Sequence, residues 1–281
     1  MSEQIDLMVL GAAGQLGSEL TKLASSRSMS VVGLGPRTDN PLDLVADRAG
    51  VESLLLTHRP RRVINCVAMH GVFCSSSASR ATEVNSLPQH WLSALCAEIG
   101  SLFIYVSSDE VFSGEAECGL WYKEDSRRGP NSVYGLTKAL GEVLTEQNLG
   151  AIARTSHLFG PTPTRSKGNL VTNIIKGLSE KKRLSYFDNR VFSPSYAPDV
   201  AKLLLKIESR GTYHVPNYGQ CSAYSFAKTV VSMLGRDHSH VEKETFIRSV
   251  NTSILPSFRV RRWEDALREF LEKHMEVEFN R

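Results

Sequence analysis

Tyr134 and Lys138 stand four residues apart in the run Ser132-Val133-Tyr134-Gly135-Leu136-Thr137-Lys138. On a helix that spacing puts both side chains on one face. A free phenol titrates near about pH 10. A neighbouring ammonium favours the phenolate, so the pairing predicts a tyrosine usable as an acid or base near neutrality. Upstream, Ser107, Ser108 and Asp109 close the apolar run 102–106, and hydroxyls at such a strand end can share charge developing on a carbonyl oxygen. Near the start of the chain, Gly11, Gly14 and Gly17 follow the apolar run 5–10 and open a helical pattern. In such a triplet the first glycine permits a tight strand-to-helix turn, the second lets backbone approach a pyrophosphate, and the third lets the helix close on the sheet. The free N–H groups of that helix start face the anion. A Tyr-x-x-x-Lys pair or a glycine triplet is common by itself. The two together, with a hydroxyl-bearing strand end between them, point to a reductase-type site served by a dinucleotide.

The elements that must position these groups are legible as alternating patterns. Strand-like runs at 5–10, 30–34, 63–67, 102–106 and near 151–154 alternate with helical patterns near 15–25, 51–57, 86–98 and 133–147. Continuous apolar strands alternating with helices imply a parallel sheet covered on both faces, which is a Rossmann-type, doubly wound α/β fold. Beyond Thr155 the rhythm breaks into loops rich in Pro, Thr and Ser, including Gly160-Pro161-Thr162-Pro163. Helical patterns near 169–179, 199–207, 225–234 and 264–274 follow, with a short strand near 211–215. The expected division is a dinucleotide-binding domain over 1–154 and a smaller C-terminal substrate lobe over 155–281, with about 190–215 returning to the sheet. Ligands in such folds bind beyond the carboxyl ends of the strands.

Composition narrows the function classes. The chain has 281 residues, 41% apolar and 22% charged, with a formal net charge of +3. That charge is too small to suggest nucleic-acid binding. No run approaches the about 18 apolar residues of a membrane span, and the N-terminus lacks a basic stretch followed by an apolar core, so a cytoplasmic location without membrane attachment is expected. Cys66, Cys74, Cys96, Cys118 and Cys221 form no Cys-x-x-Cys pair and read as free thiols. His238, His240 and Glu242 follow the turn-like Gly235-Arg236-Asp237 and match no zinc-ligand spacing, so no metal site is expected. Arg59-Pro60-Arg61-Arg62 reads as a solvated loop.

In order along the chain, Gly-Ala-Ala-Gly-Gln-Leu-Gly at 11–17, Val-Ile-Asn-Cys-Val-Ala at 63–68, Val-Asn at 84–85, Ser-Ser-Asp-Glu-Val-Phe-Ser-Gly at 107–114, Val-Tyr-Gly-Leu-Thr-Lys at 133–138 and Arg-Thr-Ser at 154–156 resemble the blocks of an extended short-chain dehydrogenase/reductase. Within that superfamily the chain is most similar to the dTDP-4-dehydrorhamnose reductase family, whose bacterial members reduce the 4-keto group of a nucleotide-linked 6-deoxyhexose. The resemblance implies that Tyr134 donates a proton to the substrate carbonyl oxygen, that Ser108 hydrogen-bonds that oxygen, and that Lys138 lowers the tyrosine pKa and anchors the nicotinamide ribose. It implies cofactor contacts at Gly11, Gly14, Gln15, Leu16, Gly17, Ala68, Asn85 and Ser107, with Asp43 and Leu44 bordering adenine; a helix N-cap is the other reading of Asn85. Gly33-Leu34-Gly35-Pro36-Arg37 has no acid before Asp39, and Arg37 can accommodate a 2′-phosphate, which favours NADPH and leaves NADH open.

The chain also departs from the family pattern. The segment 69–77 lacks acids, Glu110 replaces an aromatic, and His157 stands where a tryptophan is frequent. Asp109, His157, Arg190 and Arg259 are the expected substrate contacts, Arg259 because guanidinium matches phosphate geometry. The implied partner is a nucleotide-sugar substrate, with a homodimer left open. The alternatives are a nucleotide-sugar epimerase or dehydratase of the same superfamily, or a cofactor-binding regulatory subunit similar to that of methionine adenosyltransferase.

Overall fold

The computed structural model describes residues 4–36, 38–116, 119–163 and 168–278. The first half alternates as β1 (Leu7–Leu10), α1 (Gln15–Ser26), β2 (Val31–Leu34), α2 (Arg48–His58) and β3 (Arg62–Asn65), followed by α3 (Val72–Ser76), α4 (Ala78–Asn85) and α5 (Leu87–Glu98). Next come β4 (Leu102–Ser108), α6 (Val133–Glu146), β5 (Ala151–Thr155), β6 (Leu158–Phe159) and α7 (Leu170–Ser179). The remainder is β7 (Leu184–Phe187), β8 (Arg190–Phe192), β9 (Ser195–Tyr196), α8 (Ala197–Leu204), β10 (Gly211–His214), β11 (Cys221–Ser222), α9 (Ala223–Met233), β12 (Val241–Glu244), β13 (Val250–Asn251) and α10 (Trp263–Glu278).

The central sheet runs β10-β5-β4-β3-β1-β2 with every pair parallel. Its inner strands are buried on both faces, and the period of two decides which core each side chain joins. Leu7 and Val9 of β1, Ile64 of β3, and Ile104 and Val106 of β4 face one core, where Leu16 and Leu20 of α1 meet Val200 and Leu204 of α8. Met8, Leu10, Val63, Phe103 and Tyr105 face the other, against Val51 and Leu55 of α2 and Leu92 and Cys96 of α5. A third, aromatic core lies in the C-terminal half, where Phe159, Phe192, Tyr196, Phe226, Trp263 and Phe270 share one cluster. Strand β10 leaves that half and lies parallel to β5, Gly211 opposite Ala151. Where the segment 69–77 reads as loop in the sequence, the structure adds α3 and α4 before α5; these short helices are held by long-range contacts that local periodicity does not carry.

Strands β1 and β3 are neighbours, yet the chain leaves β1 for β2 on the opposite side before crossing back. Their carboxyl ends therefore diverge into a crevice. Among the described residues, no helix is long and apolar enough to cross a membrane, and no group of three or more His, Cys, Asp or Glu is placed to hold a metal ion.

A buried ionic cluster joins α6 to the sheet. Arg154 of β5 meets Glu142 of α6 through Nε at 2.9 Å and Nη2 at 2.8 Å, and Arg128 adds Nη1 at 3.0 Å. Nη1 of Arg154 also donates to Nε2 of His214 at 3.3 Å, while Nδ1 of His214 meets the Leu255 carbonyl at 3.2 Å. His214 must therefore stay neutral to accept from Arg154. Burial, and then the Arg154 charge, push its pKa down from 6.5 to about 4. The unfolded chain binds this proton more readily, so the contribution of His214 is complete above about pH 6.5 and is lost as pH falls towards about 4. The thermal midpoint of the protein should fall across that window, and His214→Gln should flatten the fall; identical pH profiles for the two proteins would contradict this account.

Candidate active site

The turn between β1 and α1 is made by glycines. Gly11 takes φ +79°, a left-handed conformation that glycine adopts without cost, and a Cβ on Gly17 would lie 2.2 Å from the Gly11 carbonyl oxygen. Helix α1 can approach the sheet this closely only because position 17 has no side chain. Gly14 caps α1 with no side-chain hydrogen bond, leaving first-turn N–H groups directed at the crevice, where an anion satisfies them. A cavity of about 250 Å³ opens there, lined among others by Gly11, Gly14, Asp43, Leu44, Ala68 and Arg80. The glycine cradle and its place at the switch point fit the pyrophosphate of a dinucleotide.

The other residues expected at the cofactor divide into distinct roles. Leu16 is buried in the core beside the sheet, and Gly17 acts by close packing. Gln15 donates from Nε2 to the Gly160 carbonyl at 3.3 Å, tying the glycine turn to the segment after β6. Asp43 accepts the N–H groups of Ala46 at 2.9 Å and Val45 at 2.8 Å; these bonds, and the nearby Arg80 charge, hold its carboxyl below the usual range. Arg37 lies outside the described residues, as does Cys118.

Asn85 and Ser107 do not face the cavity. Asn85 ends α4, fully buried, and is not an N-cap. Its Oδ1 accepts from the Met69 N–H and its Nδ2 donates to the Met69 carbonyl, both at 2.8 Å, with a further bond to Thr137 Oγ1 at 2.9 Å. It thus clasps the turn after β3 onto α6. Ser107 donates to Oε1 of Glu142 at 2.6 Å and belongs to the ionic cluster. Alternation along β4 turns Ser107 inward and leaves Ser108 at the strand end.

Ser108, Tyr134 and Lys138 come together at the carboxyl end of β4. Ser132 caps α6, its Oγ accepting the Gly135 N–H at 2.9 Å, and this sets the first turn on which Tyr134 stands. The surroundings of Tyr134 include Ser108, Asp109, Glu110 and Cys74, and those of Lys138 include Cys66, Cys74 and Glu142. Cys74 is common to both, as expected for side chains on one face of α6. Their electrostatics differ from the sequence expectation. The Lys138 ammonium donates to the Val106 carbonyl at 2.6 Å and stands 4.1 Å from the centroid of the Tyr105 ring; burial lowers its pKa to about 7. No hydrogen bond joins it to Tyr134. Burial and the Glu110 carboxylate push the Tyr134 phenol above its ordinary value, opposed by a hydrogen bond with Ser108. The strand carbonyl holds the cation that the spacing predicts for the phenol.

Asp109 is buried and its carboxylate is saturated. It accepts from Ser108 Oγ at 3.1 Å, Ser156 Oγ at 2.7 Å and Thr252 Oγ1 at 2.7 Å. Burial nonetheless raises its pKa against those three hydroxyls. Where the sequence suggests a substrate contact, the structure shows a cross-link between β4, the end of β5 and the segment after β13. His157 and Arg190 are instead brought together with Glu110. The His157 ring lies 4.1 Å from that of Phe192. It is reached by solvent, yet the protein around it, with Arg190, lowers its pKa against the opposing pull of Glu110. The exposed Arg190 guanidinium stands 5.5 Å from the Phe246 ring and 6.0 Å from Phe187. Arg259 stands apart, exposed between Phe258, which stacks on Tyr213 of the edge strand β10, and Val260, which packs on the sheet core; no contact links it to the Tyr134 group.

Sequence reading missed Arg80 as a cavity residue, and took Glu110 as a departure from a pattern and, with Asp109, as an acid near the tyrosine that leaves the epimerase or dehydratase alternative open. Thr252 and Cys74 carry no local signal, because each reaches the site through tertiary contact. Ser132 was detectable, since serine directly before a helical pattern is an N-cap signature.

Comparison with known proteins gives a consistent result. The family model for the RmlD substrate binding domain matches residues 5–275. The spore coat polysaccharide biosynthesis protein SpsK of Bacillus subtilis is 30% identical over 291 residues, covering 95% of this chain and 97% of its own length. A dTDP-4-dehydrorhamnose reductase of Streptomyces griseus is 31% identical over 274 residues, covering 92% and 87%. The crystal structure of a dTDP-4-dehydrorhamnose reductase from Bacillus anthracis in complex with NADP shares the fold, with a TM-score of 0.85 at 24% identity over 96% of this chain and 98% of that one.

The Asn85 clasp can be tested by truncation. Asn85→Ala leaves the half-buried Met69 peptide groups and the buried Thr137 hydroxyl without this partner, a loss of about 1–3 kcal/mol. Urea unfolding should show a lower midpoint at unchanged slope; an unchanged midpoint would mean that the clasp contributes nothing.

Proposed function

Because the chain belongs to the RmlD substrate binding domain family, we propose that it is an NADPH-dependent reductase of the 4-keto group of a nucleotide-activated deoxysugar. The observation that carries this reading is the convergence of Ser108, Tyr134 and Lys138 at the end of β4, one strand from the glycine-lined crevice. In this reading residues 1–154 bind the dinucleotide, and 155–281 mainly the sugar nucleotide, with β10 returned to the sheet.

When bound, the reduced nicotinamide supplies the hydride. The chain supplies everything else. Tyr134, whose surroundings keep the phenol protonated, gives its proton to the oxygen of the former ketone. Ser108 hydrogen-bonds the same oxygen and shares its developing charge. Lys138 offers ammonium donors to the ribose and keeps a cation beneath the site. Gly11, Gly14 and the open first turn of α1 hold the pyrophosphate, and Asp43 with Leu44 borders the adenosine end. Arg80 lies on the wall there and supports NADPH, as does the NADP carried by the Bacillus anthracis enzyme. His157 and Arg190 face the sugar nucleotide, Arg190 as a donor to its phosphates.

The test is to follow NADPH absorbance while presenting dTDP-, GDP- and CDP-linked 4-keto-6-deoxyhexoses. One of them should be reduced with stoichiometric loss of NADPH, which an epimerase or dehydratase that recycles its cofactor would not show. Cofactor binding with no turnover on the whole panel would instead favour a non-catalytic subunit. Tyr134→Phe should lower kcat by about 10²–10⁴-fold, the range of general acid catalysis, with cofactor affinity retained. Wild-type turnover in that variant would remove Tyr134 from the mechanism.

A further inference from the structure

Tyr105 lies inside the sheet, opposite Asn65 of β3 and Ile152 of β5, and its side chain is fully buried against α6. A tyrosine this deep must place its hydroxyl as well as its ring. The hydroxyl donates to the Asn85 carbonyl, at the end of α4, at 2.8 Å. To reach it the ring passes α6 at Gly141, where a Cβ would stand 2.6 Å from the phenol oxygen and 2.9 Å from ring carbon Cζ. Glycine is a poor residue for the middle of a helix. Its presence there lets the phenol and the Asn85 carbonyl meet.

The ring so fixed carries the Lys138 ammonium, whose Nζ is 4.1 Å from the ring centroid. Among the described residues the ammonium hydrogen-bonds only to the Val106 carbonyl, at 2.6 Å, so donors remain from its three N–H groups. Lys138 is 1% exposed, and burial draws its pKa down to about 7. An aromatic face attracts a cation, most strongly where water is excluded, and it accepts N–H groups far more weakly than a carboxylate does. An acid in place of Tyr105 would hold the charge but occupy the donors.

We propose that Tyr105 is a positioning residue of the cofactor site, whose ring, set by the bond from its hydroxyl to Asn85, seats the Lys138 ammonium so that its spare N–H groups face the nicotinamide ribose. The inference rests on the ribose role given to Lys138 and deepens it. The other groups around the ammonium do not provide this seat. Glu142, one turn further along α6, is taken by Arg154 and Arg128. From α3, the Cys74 thiol donates to the Met69 carbonyl at 2.9 Å. Cys66, after β3, stays neutral, its thiol pushed up to about 12 by burial.

The test reads cofactor binding by fluorescence titration of NADPH and needs no sugar substrate. Adenosine 2′,5′-bisphosphate, which carries the adenosine end of NADPH without the nicotinamide ribose, is the control ligand. Tyr105→Leu should weaken NADPH binding by about tenfold, the scale of a desolvated cation–π contact, and leave the control ligand unchanged. Tyr105→Phe keeps the ring and should lose less. In a Lys138→Met background, Tyr105→Leu should cause no further loss. An equal loss for both ligands, or the same loss with and without Lys138, would make Tyr105 a core residue only and overturns the proposal. Should Tyr105→Leu fail to fold, pentafluorophenylalanine at position 105 keeps the shape of phenylalanine while reversing the charge of the ring face. Its NADPH affinity should fall below that of Tyr105→Phe, and equal affinities are as fatal. A Lys138→Met protein that binds NADPH as tightly as wild type overturns the ribose role of Lys138 and this inference with it. The expected pattern in a protein that reduces nothing on the nucleotide-sugar panel counts against the reductase reading alone.

Discussion

The orientation of α6 depends on one buried carboxylate. Glu142 is fully buried and receives Arg154 from β5, Ser107 from β4 and Arg128 from the loop before the helix. A two-pronged guanidinium contact fixes direction as well as distance, so the helix is held against rotation about its axis. Tyr134 and Lys138 lie two turns and one turn before Glu142. Their common face towards the end of β4 follows from that anchor. Breaking such a pair strands its partner charges in the interior, at about 3–5 kcal/mol, which makes the geometry of the site costly to disturb.

The front of the same helix is set by different means. Ser132 caps the first turn and simultaneously holds Glu110, while Gly135 lets the turn carrying Glu110 approach backbone to backbone. Asp109 then gathers Ser108, Ser156 and Thr252, joining the strand end to the C-terminal half of the chain. Consecutive acids in one short turn therefore have opposite assignments. Asp109 points inward and holds segments together; Glu110 reaches Ser132 at the start of the helix, with the charges of His157 and Arg190 nearby.

The alternating strand and helix patterns, the glycine turn and the Tyr-x-x-x-Lys pair were legible because each is a local rule, a period or a fixed offset that neighbouring residues express together. Leu7 to Leu10 read as an apolar strand, and the structure distributes them to two cores by simple alternation. Helix α6 was placed within one residue of its observed end. The helices α3 and α4 were not foreseen, since Asn85 and Cys74 are held by partners across the fold, including the Met69 peptide and Thr137. Arg259 looked like a phosphate ligand by residue type alone, and the chain carries it to the edge of the sheet.

By itself the sequence carried the strand–helix alternation of the central sheet, the glycine turn after β1 and the Tyr-x-x-x-Lys spacing on α6, because backbone sterics and helical spacing act over a few residues. Only the tertiary structure decided which charge neighbours which. The Lys138 ammonium is drawn to a strand carbonyl and Glu110 is the charge beside the phenol, since Coulomb energy and desolvation depend on distances and burial that exist only once distant segments have packed.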